Sequence, residues 1–325
     1  MKRILLPFIA LALACCAQAA VMRPADFDAF WDAAVAKLDR ETLLDLKMER
    51  EEARCTPGYD YYRINFASAA GRRLWGFLTI PTDKAKAPYP VHVQVPGAGP
   101  YHDHWWGASD HEITLMVNVL DFDPNGSDGM QGGYEAMCAR LKEKYGFTGP
   151  YGQAGFAASR EEVFYYPVIL GLNRIVNWVC ARPDVDHGKV SVLGGSQGGF
   201  MSLTLMALNP NITRGVAYVP AMGDLLAEEE GRTSCWPKVL TGYPKEKWPA
   251  IREIAPYFDS VNFAVRIKTK FRGLRGLADP TCPPTATKAI YDAITTPDKI
   301  VTEVSGMTHK VHPELEKELE EWVRR

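Results

Sequence analysis

The chain is poor in cysteine, and its cysteines follow no pattern that would hold a metal or staple a small domain. Seven occur in 325 residues: Cys15 and Cys16 lie near the N-terminus, and the other five are scattered. No two of them have C-x-x-C spacing. Zinc sites and disulfide-rich domains both need clustered or regularly spaced cysteines. Neither class is indicated, although one or two disulfides would be compatible with an oxidising compartment.

Concentrated charge of one sign is also lacking. Lysine and arginine number 37 against 39 aspartates and glutamates, for a net charge of −2, and neither sign forms a long block. Proteins that bind nucleic acid or anionic membranes carry basic clusters, so we expect neither partner. With 46% hydrophobic residues and no internal repeat, the chain is predicted to form one large globular domain with insertions.

No apolar run is long enough to span a bilayer, which takes about 20 residues. The longest covers residues 4–14 and is interrupted by Pro7. It follows Lys2 and Arg3 and leads into small residues that end in an A-x-A sequence at 17–19. This order of basic, apolar and small residues is typical of a secretory signal peptide.

We therefore predict a signal peptide over residues 1–19 and a single mature domain over 20–325, exported to the periplasm or the cell exterior. A lipid anchor on Cys16 is the alternative, because a cysteine after a small residue can be lipidated. The position before it holds Cys15, a poor match to such a site.

Strand-like and helix-like segments alternate along the rest of the chain. Apolar, β-branched runs predict strands, and apolar residues at helical spacing predict helices. The predicted strands are 62–68, 74–80, 91–95, 113–120, 190–193, 215–219, 271–277 and 300–304, and the predicted helices include 26–38, 161–180 (starting late or kinked at Pro167), 197–208, 285–294 and a last helix through 315–323. Residues 121–159, rich in glycine and aromatics, are predicted to be a loop over a binding face. The alternation predicts an α/β fold: a mostly parallel sheet with helices on both faces and ligands at the carboxyl ends of the strands.

Ser196 lies between four glycines in the sequence GGSQGG, directly after a predicted strand and before a predicted helix. This strand–turn–helix setting is typical of a nucleophilic serine on a tight turn, where side chains two residues to either side would collide. A phosphate-binding loop is disfavoured, since neither a Gly-Lys-Ser/Thr ending nor G-x-G-x-x-G spacing is present. A flexible glycine loop is the plain alternative.

A serine nucleophile needs a base and an acid, which in this arrangement follow it in the order acid, then histidine. Asp279 comes directly after strand 271–277, and His309 follows strand 300–304. We predict these two as acid and base, with Asp259 and His312 as the weaker alternatives. The backbone N–H groups of Gln197 and Ala98 are predicted to form the oxyanion hole, because they follow the nucleophile and the strand at 91–95.

Five segments give the chain a specific resemblance. They are DFDAFW at 26–31, REEVFYYPVILGLNRIVNWV at 160–179, PDVDHGKVSVLGGSQGG at 183–199, YFDSVNFA at 257–264 and GLADPTCPP at 276–284. On these the chain resembles the acetyl xylan esterase and cephalosporin-C deacetylase family of α/β-hydrolases. The resemblance implies Ser196, Asp279 and His309 as the triad, deacetylation of sugar esters, and assembly into homotrimers or homohexamers. The chain departs from the family after the third strand, where Pro96, Gly97 and Ala98 replace the usual His-Gly-Tyr.

The stretch that follows is rich in aromatic and histidine side chains. We predict that Tyr101, Trp105 and Trp106 contact substrate by stacking on a sugar ring. A metal site built from His102, His104 and His111 is the alternative, but serine hydrolysis needs no metal, and we expect no metal and no cofactor.

Together these features predict an exported serine carboxylesterase that removes acetyl groups from carbohydrate esters such as acetylated xylan. The alternatives are an α/β-hydrolase peptidase, a general small-ester hydrolase, and a non-catalytic carbohydrate-binding protein on a hydrolase fold. Covalent labelling by a fluorophosphonate separates the enzymes from the binder, because only an activated serine reacts.

Overall fold

The computed structural model describes residues 22–99, 108–120, 122–123, 133–145 and 151–325. The predicted signal peptide and lipidation site therefore lie outside the described residues. So do the predicted sugar-stacking residues Tyr101, Trp105 and Trp106 and two of the loop histidines, His102 and His104.

A nine-stranded mixed sheet runs through the described part of the chain. Its strands are β1 (Lys47–Arg50), β2 (Tyr59–Ala67), β3 (Arg73–Pro81), β4 (Tyr89–Val95), β5 (Ile113–Val117), β6 (Val185–Gly195), β7 (Arg214–Tyr218), β8 (Lys270–Gly276) and β9 (Lys299–Val304). The order is β1-β2-β3-β5-β4-β6-β7-β8-β9. The pairs from β1 to β5 are antiparallel, and every pair from β5 to β9 is parallel. All eight predicted strands are present, within a few residues of their predicted ends.

Helices cover both faces of this sheet, as predicted. They are α1 (Phe27–Glu41), α2 (Gly133–Tyr145), α3 (Tyr165–Cys180), α4 (Gln197–Leu208), α5 (Trp248–Ile254), α6 (Ser260–Ala264), α7 (Pro284–Ala293) and α8 (Pro313–Val323). Successive strand residues point to opposite faces. Val192 of β6 belongs to the large core with α3 and α4, whereas its neighbour Leu193 packs with Leu319 and Val323 of α8. Hence α4 and α8 lie on opposite sides of the sheet. No helix in the described ranges combines the length and apolar character needed to cross a bilayer.

The helices form where the apolar spacing predicts them. In α1 the buried residues Phe27, Trp31, Ala34 and Leu38 recur every three or four positions, so they share one face. In α3 the proline at 167 is the third residue, where its missing N–H costs no intrahelical hydrogen bond. The predicted late start of this helix is therefore confirmed.

The predicted loop over 121–159 is only partly correct. It contains α2, which buries Met137 and Leu141 one turn apart. A short 3₁₀ turn, Tyr151–Gln153, and the ring of Phe156 are also buried. These apolar residues are widely spaced among polar ones and glycines, so their helical period is weak. No pattern in the sequence predicts β1, because its four residues are all exposed and none is apolar on a buried face.

Candidate active site

Ser196 occupies the sharp turn between β6 and α4, in a backbone conformation that non-glycine residues rarely adopt (φ 54°, ψ −120°). Backbone hydrogen bonds hold the turn in this conformation. The Ser196 N–H donates to the Tyr218 carbonyl (3.0 Å), and the Ser196 carbonyl accepts from the N–H groups of Phe200 (3.0 Å) and Ala221 (2.9 Å). Strain fixed by surrounding contacts is common at functional sites, and here it presents the hydroxyl at the carboxyl edge of the sheet.

The glycines around Ser196 are required by close backbone contacts. A Cβ atom on Gly194 would collide with the carbonyl of Gly198, and one on Gly198 would collide with the carbonyl of Val95 on β4. Both clashes are with backbone atoms, which cannot rotate away as a side chain can. The spacing of glycine, serine and glycine therefore follows from the tightness of the turn, as the sequence predicts.

His309 and Asp279 lie beside Ser196 in one hydrogen-bonded chain. His309 Nε2 is 2.9 Å from Ser196 Oγ, and His309 Nδ1 is 2.8 Å from Asp279 Oδ2. The other carboxylate oxygen, Oδ1, accepts from the backbone N–H groups of Thr281 (2.8 Å) and Cys282 (2.9 Å). Asp279 is buried, whereas His309 is partly exposed. The arrangement can move a proton from the serine hydroxyl to an imidazole whose ring is held by a fixed carboxylate.

The surroundings of His309 act on its pKa in opposite directions. Burial lowers this pKa, but hydrogen bonds to Asp279 and to the Cys282 thiol raise it by more, so the net shift from 6.5 is upward. The carboxylate thus stabilises the imidazolium that forms when His309 takes a proton.

The two alternative residues are placed elsewhere. His312 is exposed at the start of α8, with Nδ1 3.6 Å from a Glu314 oxygen. Asp259 is fully buried and accepts from the N–H groups of Asp224 (3.2 Å), Leu225 (2.7 Å) and Val261 (2.8 Å). Its carboxylate therefore ties the segment after β7 to the start of α6.

Replacing Asp259 with alanine is expected to destabilise the protein by about 2–4 kcal/mol, because three buried N–H groups would lose their acceptor. Asp259→Asn keeps one acceptor oxygen and should cost less. Urea unfolding of the two variants measures the difference. An alanine variant that is as stable as wild type yet inactive would instead place Asp259 in the chemistry.

The side chain of Gln197 connects the serine turn to the loop after β4. Its Oε1 accepts from the hydroxyls of Tyr151 (2.6 Å) and Tyr165 (3.0 Å), which fixes the orientation of the amide. Its Nε2 then donates to the carbonyl of Gly97 (3.2 Å). The backbone N–H of Gln197 is the first of α4, where no intrahelical acceptor exists, and Ala98 is the residue after the tethered carbonyl. The network thus holds together the two segments that carry the predicted oxyanion-hole donors.

The isosteric change Gln197→Glu tests this network. A carboxylate still accepts from both tyrosines, but it cannot donate to Gly97 and it brings negative charge close to a developing oxyanion. We expect kcat to fall about 100-fold with little change in KM, the size of effect seen when one oxyanion donor is lost. Steady-state kinetics on a small aryl acetate measures it, with Tyr165→Phe as the milder control. Wild-type kcat in Gln197→Glu would show that the amide does not position the loop.

An open cleft of about 670 Å³ begins at Ser196 and His309 and extends along the ends of β4 and β6 towards α8. Pockets of 300–1,000 Å³ accommodate drug-sized or sugar-sized ligands, so this cleft exceeds what an acetyl group alone would fill.

Similarity to known proteins gives the family of this chain. The sequence model of the acetyl xylan esterase family (AXE1) matches residues 10–325. The chain belongs to the acetyl xylan esterase family. Acetyl esterase Axe7A of Xylanibacter ruminicola is 27% identical over 292 residues, which make up 87% of this chain and 63% of that protein. The chain thus spans less than two thirds of this relative's length.

Two solved acetyl xylan esterases share the fold of this family member. The enzyme from Paenibacillus sp. R4 superposes with a TM-score of 0.74 at 22% identity, covering 94% of this chain and 96% of that one. The enzyme from Thermoanaerobacterium sp. JW/SL YS485 gives the same TM-score at 18% identity, over 95% and 96% of the two chains. The predicted α/β-hydrolase fold and the resemblance to this family of carboxylic ester hydrolases are confirmed.

One loop histidine does fall within the described residues. His111 is exposed, with Nε2 3.1 Å from an Asp110 oxygen. Within the ranges the structure describes, no group of three or more histidines, cysteines or carboxylates is arranged to hold a metal. Within the described residues, Cys55, Cys180, Cys235 and Cys282 form no disulfide.

Proposed function

We propose that this member of the acetyl xylan esterase family is an exported serine esterase that removes acetyl groups from carbohydrate esters, with acetylated xylan or xylo-oligosaccharides as substrate. The observation that carries the proposal is the hydrogen-bonded chain from Ser196 through His309 to Asp279 at the mouth of the cleft. Family membership supplies the expectation of an acetylated carbohydrate.

In the proposed first step, His309 Nε2 takes the proton of Ser196 Oγ as that oxygen bonds to the ester carbonyl carbon. The carbonyl oxygen becomes negative and is stabilised by the N–H groups of Gln197 and Ala98. His309 then gives its proton to the sugar oxygen as the carbon–oxygen bond of the ester breaks, which leaves an acetyl group on Ser196. Asp279 keeps the Nδ1 proton of His309 in place throughout.

In the second half of the proposed reaction, a water molecule takes the place of the sugar alcohol at the acetyl group. His309 takes a proton from the water as it attacks the acetyl-serine, and returns a proton to Ser196 Oγ as acetate leaves. No cofactor takes part in either half.

The proposal is tested by measuring acetate release from acetylated xylo-oligosaccharides, with 4-nitrophenyl acetate as a second substrate and Ser196→Ala as control. Release from both substrates by wild type alone supports the mechanism and the substrate class together. Cleavage of the aryl ester only would leave a general small-ester hydrolase. Hydrolysis of aminoacyl anilides but not of acetate esters would indicate a peptidase. Carbohydrate binding without any turnover would indicate a binding protein.

Export and assembly belong to the same proposal. The sequence of residues 1–19 supports export, and resemblance to the family supports a homotrimer or homohexamer. The N-terminus of the secreted protein should begin just after the A-x-A sequence at 17–19. Light scattering on that protein gives the number of subunits.

A further inference from the structure

Hydrogen-bond acceptors from two elements other than the serine turn line the same cleft as Ser196. Gln94, near the end of β4, and Glu316 and Glu320, on α8, all line it. Gln94 is only 3% exposed, and its Oε1 makes no hydrogen bond in the part of the chain the structure describes. A buried carbonyl oxygen without a donor is unfavourable, so this atom calls for a donor group in the cleft.

The two glutamates lie one helical turn apart; Glu320 is half-buried and Glu316 is exposed. Burial raises the pKa of Glu316, and the neighbouring Glu320 carboxylate raises it further. Burial also raises the pKa of Glu320, whose carboxylate accepts from Arg324 Nη2 (3.0 Å). Glu316 accepts a hydrogen bond from the Tyr218 side chain. Each contact leaves further lone pairs on the carboxylates available to a ligand.

Arg324 pairs with Glu320 beside the cleft, but it does not line it. Among the described lining residues there is no lysine or arginine, and the titratable ones are Tyr218, His309, Glu316 and Glu320. A ligand beside these side chains would therefore act mainly as a hydrogen-bond donor, and a carboxylate there would meet the negative charges of Glu316 and Glu320, of which Glu320 is paired with Arg324.

We propose that Gln94, Glu316 and Glu320 form the subsite for the alcohol part of the substrate, which binds neutral polyhydroxyl groups and discriminates against alcohols that carry a carboxylate, such as uronic acid sugars. The proposal rests on the proposed function, since it assigns the part of the ester that leaves from Ser196. Sugar hydroxyls can donate to Gln94 Oε1 and to the remaining lone pairs of the two glutamates, and the volume beyond the acetyl group accommodates a sugar ring.

The charge part of the proposal is tested with two acetate esters of similar leaving group, 4-acetoxybenzoate, which is anionic, and its neutral methyl ester. In wild type we expect kcat/KM for the anion to be at least tenfold lower, with a gap that narrows as salt is added. In the double variant Glu316→Gln, Glu320→Gln the anion-to-neutral ratio should rise about tenfold. Glu318→Gln, on the same helix but outside the cleft lining, should leave the ratio at its wild-type value.

The sugar part is tested by the KM for neutral acetylated xylo-oligosaccharides, which should rise three- to tenfold in the double variant. Labelling of Ser196 by a fluorophosphonate at the wild-type rate shows that the variant is folded. An unchanged anion-to-neutral ratio together with an unchanged KM would overturn the subsite while the proposed function stands. Failure of wild type to cleave any sugar ester, with both acetoxybenzoates hydrolysed, would overturn the proposed carbohydrate substrate and the polyhydroxyl subsite with it.

Discussion

Replacement of Ser196 by alanine is expected to lower kcat for acetate release by about 10⁶-fold, since losing the nucleophile of a triad costs about as much as losing the whole triad. The other groups of the site are arranged around the Ser196 hydroxyl. His309 Nε2 lies 2.9 Å from it, and the strained turn at Ser196 presents it to the cleft. Alanine removes the attacking oxygen but leaves the N–H donors, so slow hydrolysis by water about 10³–10⁴ times above background should persist.

The matched control is Ser202→Ala, in α4, the helix that follows Ser196. Ser202 is fully buried, and its Oγ has no hydrogen-bond partner within the described part of the chain. Its removal should leave kcat within about twofold and stability unchanged or slightly raised, because no buried bond is broken. A fluorophosphonate should label wild type and Ser202→Ala equally and should not label Ser196→Ala. Retention of more than about 1% of wild-type activity by purified Ser196→Ala would mean that another group attacks the ester.

The sequence predicts that Ser196, Asp279 and His309 lie close together, because their positions follow from the topology of the sheet. Each residue lies within five positions of the end of a strand, and β6, β8 and β9 belong to the parallel part of one sheet. The carboxyl ends of parallel strands share an edge, so residues 30 and 113 positions apart are brought within hydrogen-bond distance. Local signals, namely strand runs and turn glycines, were sufficient to place them.

The support around the site could not be predicted in the same way. Gln197 was identified for its backbone N–H, but its side chain is bound by Tyr151 and Tyr165, which are 46 and 32 residues away on separate elements. A hydrogen bond between distant side chains leaves no periodic trace in a single sequence. The tyrosines look like ordinary aromatic residues in the sequence, but α3 places Tyr165 and the 3₁₀ turn at Tyr151–Gln153 places Tyr151 against the amide.

Glu316 and Glu320 of α8 show a second limit of prediction from the sequence. The apolar positions of this helix predict which side packs on the sheet, and Leu319 and Val323 are indeed buried there. Glu316 and Glu320 would by the same pattern belong to a solvated face. They line a cleft as well, because the helix lies beside the cleft that the ends of β4 and β6 also line. Periodicity tells buried from exposed, but it cannot tell bulk solvent from a binding cleft.

The change Asp279→Asn is expected to lower kcat by about 10⁴-fold at neutral pH. Oδ1 of Asp279 accepts from two backbone N–H groups, those of Thr281 and Cys282, so the amide oxygen of an asparagine should occupy this position. Its NH₂ group then faces His309 Nδ1, which must accept rather than donate. The imidazole proton moves to Nε2, and Nε2 can no longer take the proton of Ser196 Oγ.

The pH dependence tests the electrostatic part of this effect. In the proposed mechanism neutral His309 is the active form of the free enzyme, so kcat/KM is expected to rise as pH increases through the pKa of His309. Asp279 raises that pKa above 6.5, and its removal should shift the rising limb to lower pH while the plateau falls. Because the triad acts as a unit, Ser196→Ala combined with Asp279→Asn should be about as inactive as Ser196→Ala alone. A rising limb that stays at its wild-type pH, or losses that multiply in the double variant, would show that Asp279 does not act through His309 on Ser196.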